Sequence, residues 1–501
     1  MPRDRKYHTG AVYLNGDWLM EAANKEEVTG PADKKDPLWW AAVGTDTTRI
    51  WAQFIDVDPN KKTVEINVRP TVFYPDKPFI NFITVRGFTM EQAATNWAPP
   101  TAEQTGLIGT HWSRGWIIEN NIIQYSKCSG ISLGKYGDEH DNKNTESAKG
   151  YVGTIERALA FGWNKGTIGG HIVRNNTIAY CEQTGIVGSL GCSFSIIEGN
   201  TIHDIYVHHL FTGAEMAGIK LHGAVDVQIK HNQIYRVGGV AGIWLDWMAQ
   251  GVQVTDNLMH DNALDLFLEV DHGPMLVSNN IFLSKISVYI NSSGAAFAHN
   301  LFAGKINVIR YDARLTPYLK PHSTYVVALH DNPSGDVRFI NNLFVDGGDA
   351  SQYSKALLPV TFTGNVYTKG AVQAIKDNVK ERFGEMNKNA QKQMKEYKEH
   401  HAIEMNAFAD SNFDASVRLS KQGENRYLEI TFDKKWLAQK HKLVTTASLG
   451  KATIPNLPFE NPDGSMLCID KDYSGKERNR ANPSAGPFEI RTAGKQKIKV
   501  W

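Results

Sequence analysis

Residues 254–284 read VTDNLMHDNALDLFLEVDHGPMLVSNNIFLS. An asparagine followed by an apolar strand occurs here twice, at Asn257 and Asn280, 23 residues apart. The same signature recurs along the chain as ENNIIQYS, RNNTIAYC, EGNTIHDI, KHNQIYRV, AHNLFAGK, INNLFVDG and TGNVYTKG. The marker residues are Asn121, Asn176, Asn200, Asn232, Asn257, Asn280, Asn300, Asn342 and Asn365, with steps of 55, 24, 32, 25, 23, 20, 42 and 23. A period of roughly 20–25 residues is the mark of a stacked repeat. The steps of 55 and 42 read as about two coils each, the first with extra residues, and the 32 as one coil carrying an insertion.

A second motif lies inside the coils: GISLG at 130, GIVGS at 185, GIKLH at 218 and GIWLD at 242. Strands this short cannot each close a core, but they can stack as rungs of a right-handed parallel β-helix. Asparagine at a fixed turn position then forms a ladder of side-chain amides. A leucine-rich horseshoe would show more leucine and fewer β-branched residues. The expected fold is therefore all-β: a right-handed parallel β-helix over residues 63–370, with β-rich flanking regions and a short helical segment. Residues 1–62 hold short alternating runs (AVYLNG, TTRIWAQFIDV) and read as a β-rich flanking region. Residues 371–501 begin with a charged, helix-friendly stretch through 408 and end in strand-like runs broken by Pro, Gly and Asn.

The 501 residues carry 54 Lys+Arg against 53 Asp+Glu, a balance that speaks against nucleic acid or an anionic membrane as partner. The run MPRDRKYHTG has no apolar h-region, and no stretch of eighteen apolar residues follows, so a cytoplasmic location is expected. Cys128, Cys181 and Cys192 sit among apolar or small residues and read as core thiols. IDVDPN (Asp56, Asp58) and EHHAIE (His400, His401, Glu404) lack a metal-binding arrangement, and no metal or cofactor is expected.

Two apolar strands each carry a carboxylate, Asp246 in GIWLDW and Glu269 in LFLEV. A buried carboxylate is costly unless paired or used. The two are 23 residues apart, the step between Asn257 and Asn280, so they occupy one position on successive rungs. Neighbouring strands lie about 4.7–4.9 Å apart. Carboxyls stacked at roughly 5 Å suit a retaining glycosidase and not the wider gap of an inverting one. Like charges at that distance drive one carboxyl toward its protonated form, which gives one ionised nucleophile beside one acid. The column extends upward through His222 and Ser189 to Gly134. Trp244 and Trp247 bracket Asp246 and offer indole faces to a sugar. The insertion YVHHLFTGAEMAG carries His208, His209 and Glu215 and reads as a groove wall. Glu215 and Lys220 are candidates for binding hydroxyls, and His272, just after Glu269, for a supporting role.

The runs AGIWLDWMAQG, DLFLEVDHGPMLVSNNIFLS, TGAEMAGIKLHG and TVFYPDKPFINFITVRGFTMEQAATNWAPPTAEQTGLIGTHWSRGWIIENN resemble the β-xylosidases of glycoside hydrolase family 120. The resemblance covers most of residues 1–370. It implies a β-helix with an outer β-sandwich region and release of xylose from the non-reducing end of xylo-oligosaccharides with retention. It places the nucleophile at Asp246 and the acid/base at Glu269. Glu215, Lys220, His222, Trp244, Trp247 and His272 are the expected substrate-binding residues. A homo-oligomer is compatible with the sequence. Two other readings stand beside this one, a polysaccharide lyase and a non-catalytic carbohydrate-binding solenoid.

Overall fold

The structure, a computed structural model, describes residues 10–32, 35–141, 147–210, 215–373 and 388–501. Its centre is a stack of parallel strands in three long sheets. Sheet I has eleven strands, from Thr84–Arg86 to Ile403–Met405; sheet II has eleven, from Thr89–Ala93 to Phe408–Ala409; sheet III has eight, from Gly106–Gly109 to Lys305–Val308. Each coil runs III, I, II and then climbs one rung. The solenoid spans these strands, beginning later than the 63 expected and gaining one rung beyond 370. Val64–Ile66 pairs antiparallel with Val12–Leu14 instead, outside the stack. Of the helix-friendly stretch, Lys388–Met394 is helical, while 374–387 lies outside the described residues.

Two local rules make each coil. Inward positions stack as apolar columns, such as Ile108, Ile131, Ile186, Ile219, Ile243, Leu266, Val288 and Ile306 in sheet III. All eight are buried. At the corner between sheets I and II the chain turns through a left-handed residue placed before each marker asparagine. Those residues are Asn120, Asn175, Gly199, His231, Asp256, Asn279, His299, Asn341 and Gly364, all with positive φ. Gly, Asn, Asp and His are the types that enter this region at least cost. The asparagine that follows accepts from the next asparagine upward in the stack and donates to the one below. Asn257 Oδ1 takes the backbone N–H of Asn232 at 2.9 Å, and its Nδ2 donates to Asn280 Oδ1 at 3.0 Å and to the Ile229 carbonyl at 2.9 Å. The ladder runs unbroken from Asn121 to Asn365.

The steps of 55 and 42 are each one coil with an excursion, not two coils. Ile117 pairs directly with Ile172, and Ala295 with Val337. The first excursion carries helix Ala148–Ala160 and the second a hairpin, Tyr311–Leu319 with Val326–Pro333. Both leave the solenoid between sheets III and I. Two more excursions, one after Ala93 and one after Ile205, leave between sheets II and III. All four excursions therefore border sheet III, where every residue of Ala241–Asp246 is buried.

The outer regions close other faces. Residues 10–66 form two small three-stranded sheets around Val12, Tyr13, Leu19, Trp39 and Ala41, and Tyr125 of the solenoid packs against that cluster. A buried Lys127–Glu21 ion pair ties the two together. The C-terminal part lays Leu428, Ile430, Phe432 and Trp436 over an outward apolar column of sheet II formed by Leu258, Ile281, Leu301, Leu343 and Val366. Cys128, Cys181 and Cys192 are buried thiols. No helix among the described residues is long and apolar enough to cross a membrane.

Candidate active site

The outward face of sheet III carries two columns, one polar and one largely aromatic. In the first, Ser189, His222, Asp246, Glu269 and Asn291 stand opposite one another on successive strands. In the second, two residues earlier on each strand, stand Val187, Lys220, Trp244, Phe267 and Tyr289. The rings of Trp244 and Phe267 stack at 5.0 Å, and Tyr289 meets Phe267 at 4.7 Å. Each strand supplies both columns because alternate side chains share a face.

Asp246 is held from two sides. The Trp247 backbone N–H donates to Oδ1 at 2.8 Å, and Lys220 Nζ donates to Oδ2 at 2.7 Å. Lys220 lies 3.1 Å from the centre of the Trp244 ring and 3.5 Å from Glu215 Oε1. His222 Nε2 is 3.3 Å from Glu215 Oε2 and 3.6 Å from Asp246 Oδ2. Gln104, from the 94–105 segment, donates to Glu215 Oε2 at 3.2 Å. Burial alone raises the Glu215 carboxyl, but the Lys220 and His222 charges and the hydrogen bonds to it outweigh that and hold it at about 2. Glu215, His222 and Asp246 have the donor types of a cation site. Here the ammonium of Lys220 already stands between the two carboxylates.

Glu269 sits in a different field. Trp244 Nε1 donates to its Oε2 at 3.0 Å, and Arg314 Nη2 to its Oε1 at 2.6 Å. Burial, then the charge of Asp246, push its carboxyl up to about 6, against the pull of Arg314 and Lys220. Two carboxyls one strand apart thus differ in their partners: one has an ammonium and a backbone amide, the other is poised to hold a proton in mildly acid conditions.

Of the residues singled out from the sequence, Glu215, Lys220, His222 and Trp244 converge on the two carboxylates. Trp247 contributes its backbone N–H, while its indole packs 5.4 Å from Tyr151 in a buried cluster. His272 points its Nε2 at the carbonyls of Thr316 and His330, 3.2 Å from each, and so faces the base of the hairpin. Burial and neighbouring His330 lower its pKa to about 4. His208 lies against Trp18, and its backbone N–H donates to Glu182. Sequence reasoning missed Gln104, Tyr151, Asn291 and Arg314. Asn291 was within reach, since VYIN continues the pattern of KLH, WLD and FLE. The other three arrive on excursions, where the repeat gives no register.

Residues 1–66 match the family model described as glycoside hydrolase 120, insertion domain, and residues 106–306 match that of the right-handed β-helix region. The solved complex of XylC with xylose is similar over 99% of this chain and 82% of that one, at 36% identity and a TM-score of 0.88. Pectate lyase Pel9A aligns over 82% of this chain and 98% of that one with 12% identity and a TM-score of 0.31, too slight a likeness to argue from. No curated protein matches the chain. Fold and matches together define a glycoside hydrolase built on a right-handed parallel β-helix. The chain belongs to glycoside hydrolase family 120.

Proposed function

We propose that this protein is a retaining, exo-acting β-xylosidase that releases xylose from the non-reducing end of xylo-oligosaccharides. The observation that carries the reading is the register of Asp246 and Glu269, adjacent on one outward column, with Lys220 and a backbone amide on the first and Arg314 and the Trp244 indole on the second. A similar protein solved with xylose supports the choice of sugar. Exo action follows the family resemblance.

In this reading an Asp246 oxygen attacks the anomeric carbon while Glu269 gives its proton to the leaving oxygen. The bond to the aglycone breaks and a glycosyl ester forms on Asp246. Glu269, now ionised, takes a proton from water, whose oxygen bonds to the anomeric carbon as the ester bond breaks. Lys220 and the Trp247 amide hold Asp246 oriented between turnovers. Glu215, Lys220 and His222 present hydroxyl-binding groups around it, and Trp244, its ring held between Lys220 and Phe267, donates its Nε1–H to Glu269.

Aryl glycosides of xylose, arabinose, glucose and fucose test the sugar, and NMR of the first-formed anomer tests retention. Asp246→Ala and Glu269→Ala are each expected to lower kcat/KM on the aryl xyloside by at least about a thousandfold. Near-normal turnover in either variant sinks the assignment, and an inverted first product sinks the retaining mechanism.

A further inference from the structure

Glu269 is met by a residue that the solenoid itself does not supply. Arg314 lies on hairpin strand Tyr311–Leu319, inside the excursion between Asn300 and Asn342. Its guanidinium is locked. Nε stands 3.1 Å from both oxygens of Asp312, Nη2 donates to Asp312 Oδ2 at 2.9 Å, and the Arg314 backbone N–H donates to Oδ1 at 2.8 Å. Asp312 is itself fixed by Asn291 Nδ2 at 2.9 Å, from the rung below Glu269. Asn332 Nδ2 grips the Arg314 carbonyl at 2.7 Å. What remains is one Nη2 contact, aimed at Glu269 Oε1 at 2.6 Å.

A pair made only to pin the hairpin has little to add here. His272 already meets the Thr316 and His330 carbonyls, and the Gln250 side chain both donates to the Leu319 carbonyl and accepts its N–H. Arg314 is one-third exposed beside a mostly buried Glu269. Resting on the retaining reading above, we propose that Arg314 is the positioning residue of the acid/base, presenting Glu269 as an oriented, ionised base for the second half of the reaction.

The charges around Glu269 support this. Asp246, Asp271 and Asp312 are the acids near it, Lys220 and Arg314 the bases, and Tyr289 the remaining ionisable neighbour. In the free enzyme Asp246 opposes ionisation of Glu269 and favours the acid form. Once Asp246 carries the sugar as a neutral ester, that opposition is gone. Arg314 and Trp244, each donating to a different oxygen of Glu269, then favour the carboxylate. Water oxygen bonds to the anomeric carbon, the ester carbon–oxygen bond breaks with its electron pair going to Asp246, and the water proton goes to Glu269.

The test is pre-steady-state kinetics of Arg314→Gln and Arg314→Lys on an aryl xyloside with a highly activated phenol, with and without azide. Departure of such a phenol needs no acid, whereas the second step needs the base. Arg314→Gln is expected to release a burst of about one phenol per active site. Steady turnover then follows at least about tenfold below wild type and recovers with azide. On a poorly activated xyloside its alkaline limb of kcat/KM is expected to move up by roughly one pH unit. Arg314→Lys restores part of both. Unchanged steady turnover with an unmoved alkaline limb overturns the proposal, as does an equal loss in both steps without azide rescue. Glu269→Ala, run in parallel, separates the two levels. Azide rescue there alongside a silent Arg314→Gln overturns only the Arg314 role; no rescue in Glu269→Ala sinks the retaining reading beneath it.

Discussion

At the scale of single residues, the site turns on how one ammonium is placed. Lys220 is fully buried, yet it lies within 3.5 Å of two carboxylates and over an indole face. Removing it leaves Glu215 and Asp246 with His222 alone between them, and a buried charge stripped of its partner is strongly unfavourable. Lys220→Met is therefore expected to lower kcat by about a hundredfold or more. Arginine should not substitute, because its planar fork cannot occupy the site of a compact ammonium. Steady-state kinetics beside a thermal melt checks this; a folded Lys220→Met variant with near-normal kcat contradicts it. Asp246, Glu269, Lys220 and His222 were legible in the sequence because they ride on strands whose register the repeat supplies. Gln104 and Arg314 were not, because a residue's distance along an excursion says nothing about where its side chain returns.

At the scale of elements, the coil is specified by two backbone demands. The first is the asparagine ladder. Asn257→Ala removes the acceptor of the Asn232 N–H and the donor to the Ile229 carbonyl, both buried. Each orphaned group costs about 1–3 kcal/mol. The variant is expected to lose at least that much stability in a denaturant titration while its kcat/KM stays near wild type. A variant as stable as the parent removes the ladder from the account of stability. The second demand explains the repeated glycine of GISLG, GIVGS, GIKLH and GIWLD. A Cβ at Gly130 would stand 2.7 Å from the carbonyl of Gly185, one at Gly185 2.7 Å from that of Gly218, and one at Gly218 2.5 Å from that of Gly242. Rungs stack too closely at this column for any side chain. On the outward face of sheet I, Arg86, Glu119, Arg174, Glu198 and Lys230 alternate in sign down the stack, so each charge has opposite neighbours. A slip of one rung would set like charges side by side.

At the scale of the whole molecule, the protein is a β-helical rod whose candidate catalytic face is marked by the excursions that interrupt it. Burial also loads that rod with protonated acids. It raises Glu182 and Asp265 to about 7 and Asp271 well above its usual range. The folded chain therefore holds these protons at pH values where the unfolded chain has released them. Raising the pH through the window between the usual carboxylate range and about 7 favours the unfolded state. Glu215 works in the opposite sense: held at about 2, it contributes stability that is complete above its ordinary 4.5 and lost as the pH falls toward 2. The melting temperature is expected to peak near the ordinary carboxylate range and to fall toward pH 8. Glu182→Gln, which keeps one of the two oxygens that accept from the His208 and Leu210 amides and cannot titrate, should flatten that fall. A melting temperature that rises steadily to pH 8 contradicts this account.

The sequence by itself determined the solenoid, its asparagine corner and the shared rung position of Asp246 and Glu269, because period and register are local properties repeated many times over. Only the tertiary structure decided what the surplus chain does. YDARLTPYLKPHSTYVVALHDNP alternates like a pair of strands and passes for a rung when only the step of 42 is counted. It is a hairpin because Ala295 already pairs with Val337 across that step, leaving no vacant rung for it. Its strands bond to each other and fold back over sheet III, where their length and twist carry Arg314 to Glu269. That return depends on contacts between residues 45 positions apart, and no local pattern encodes it.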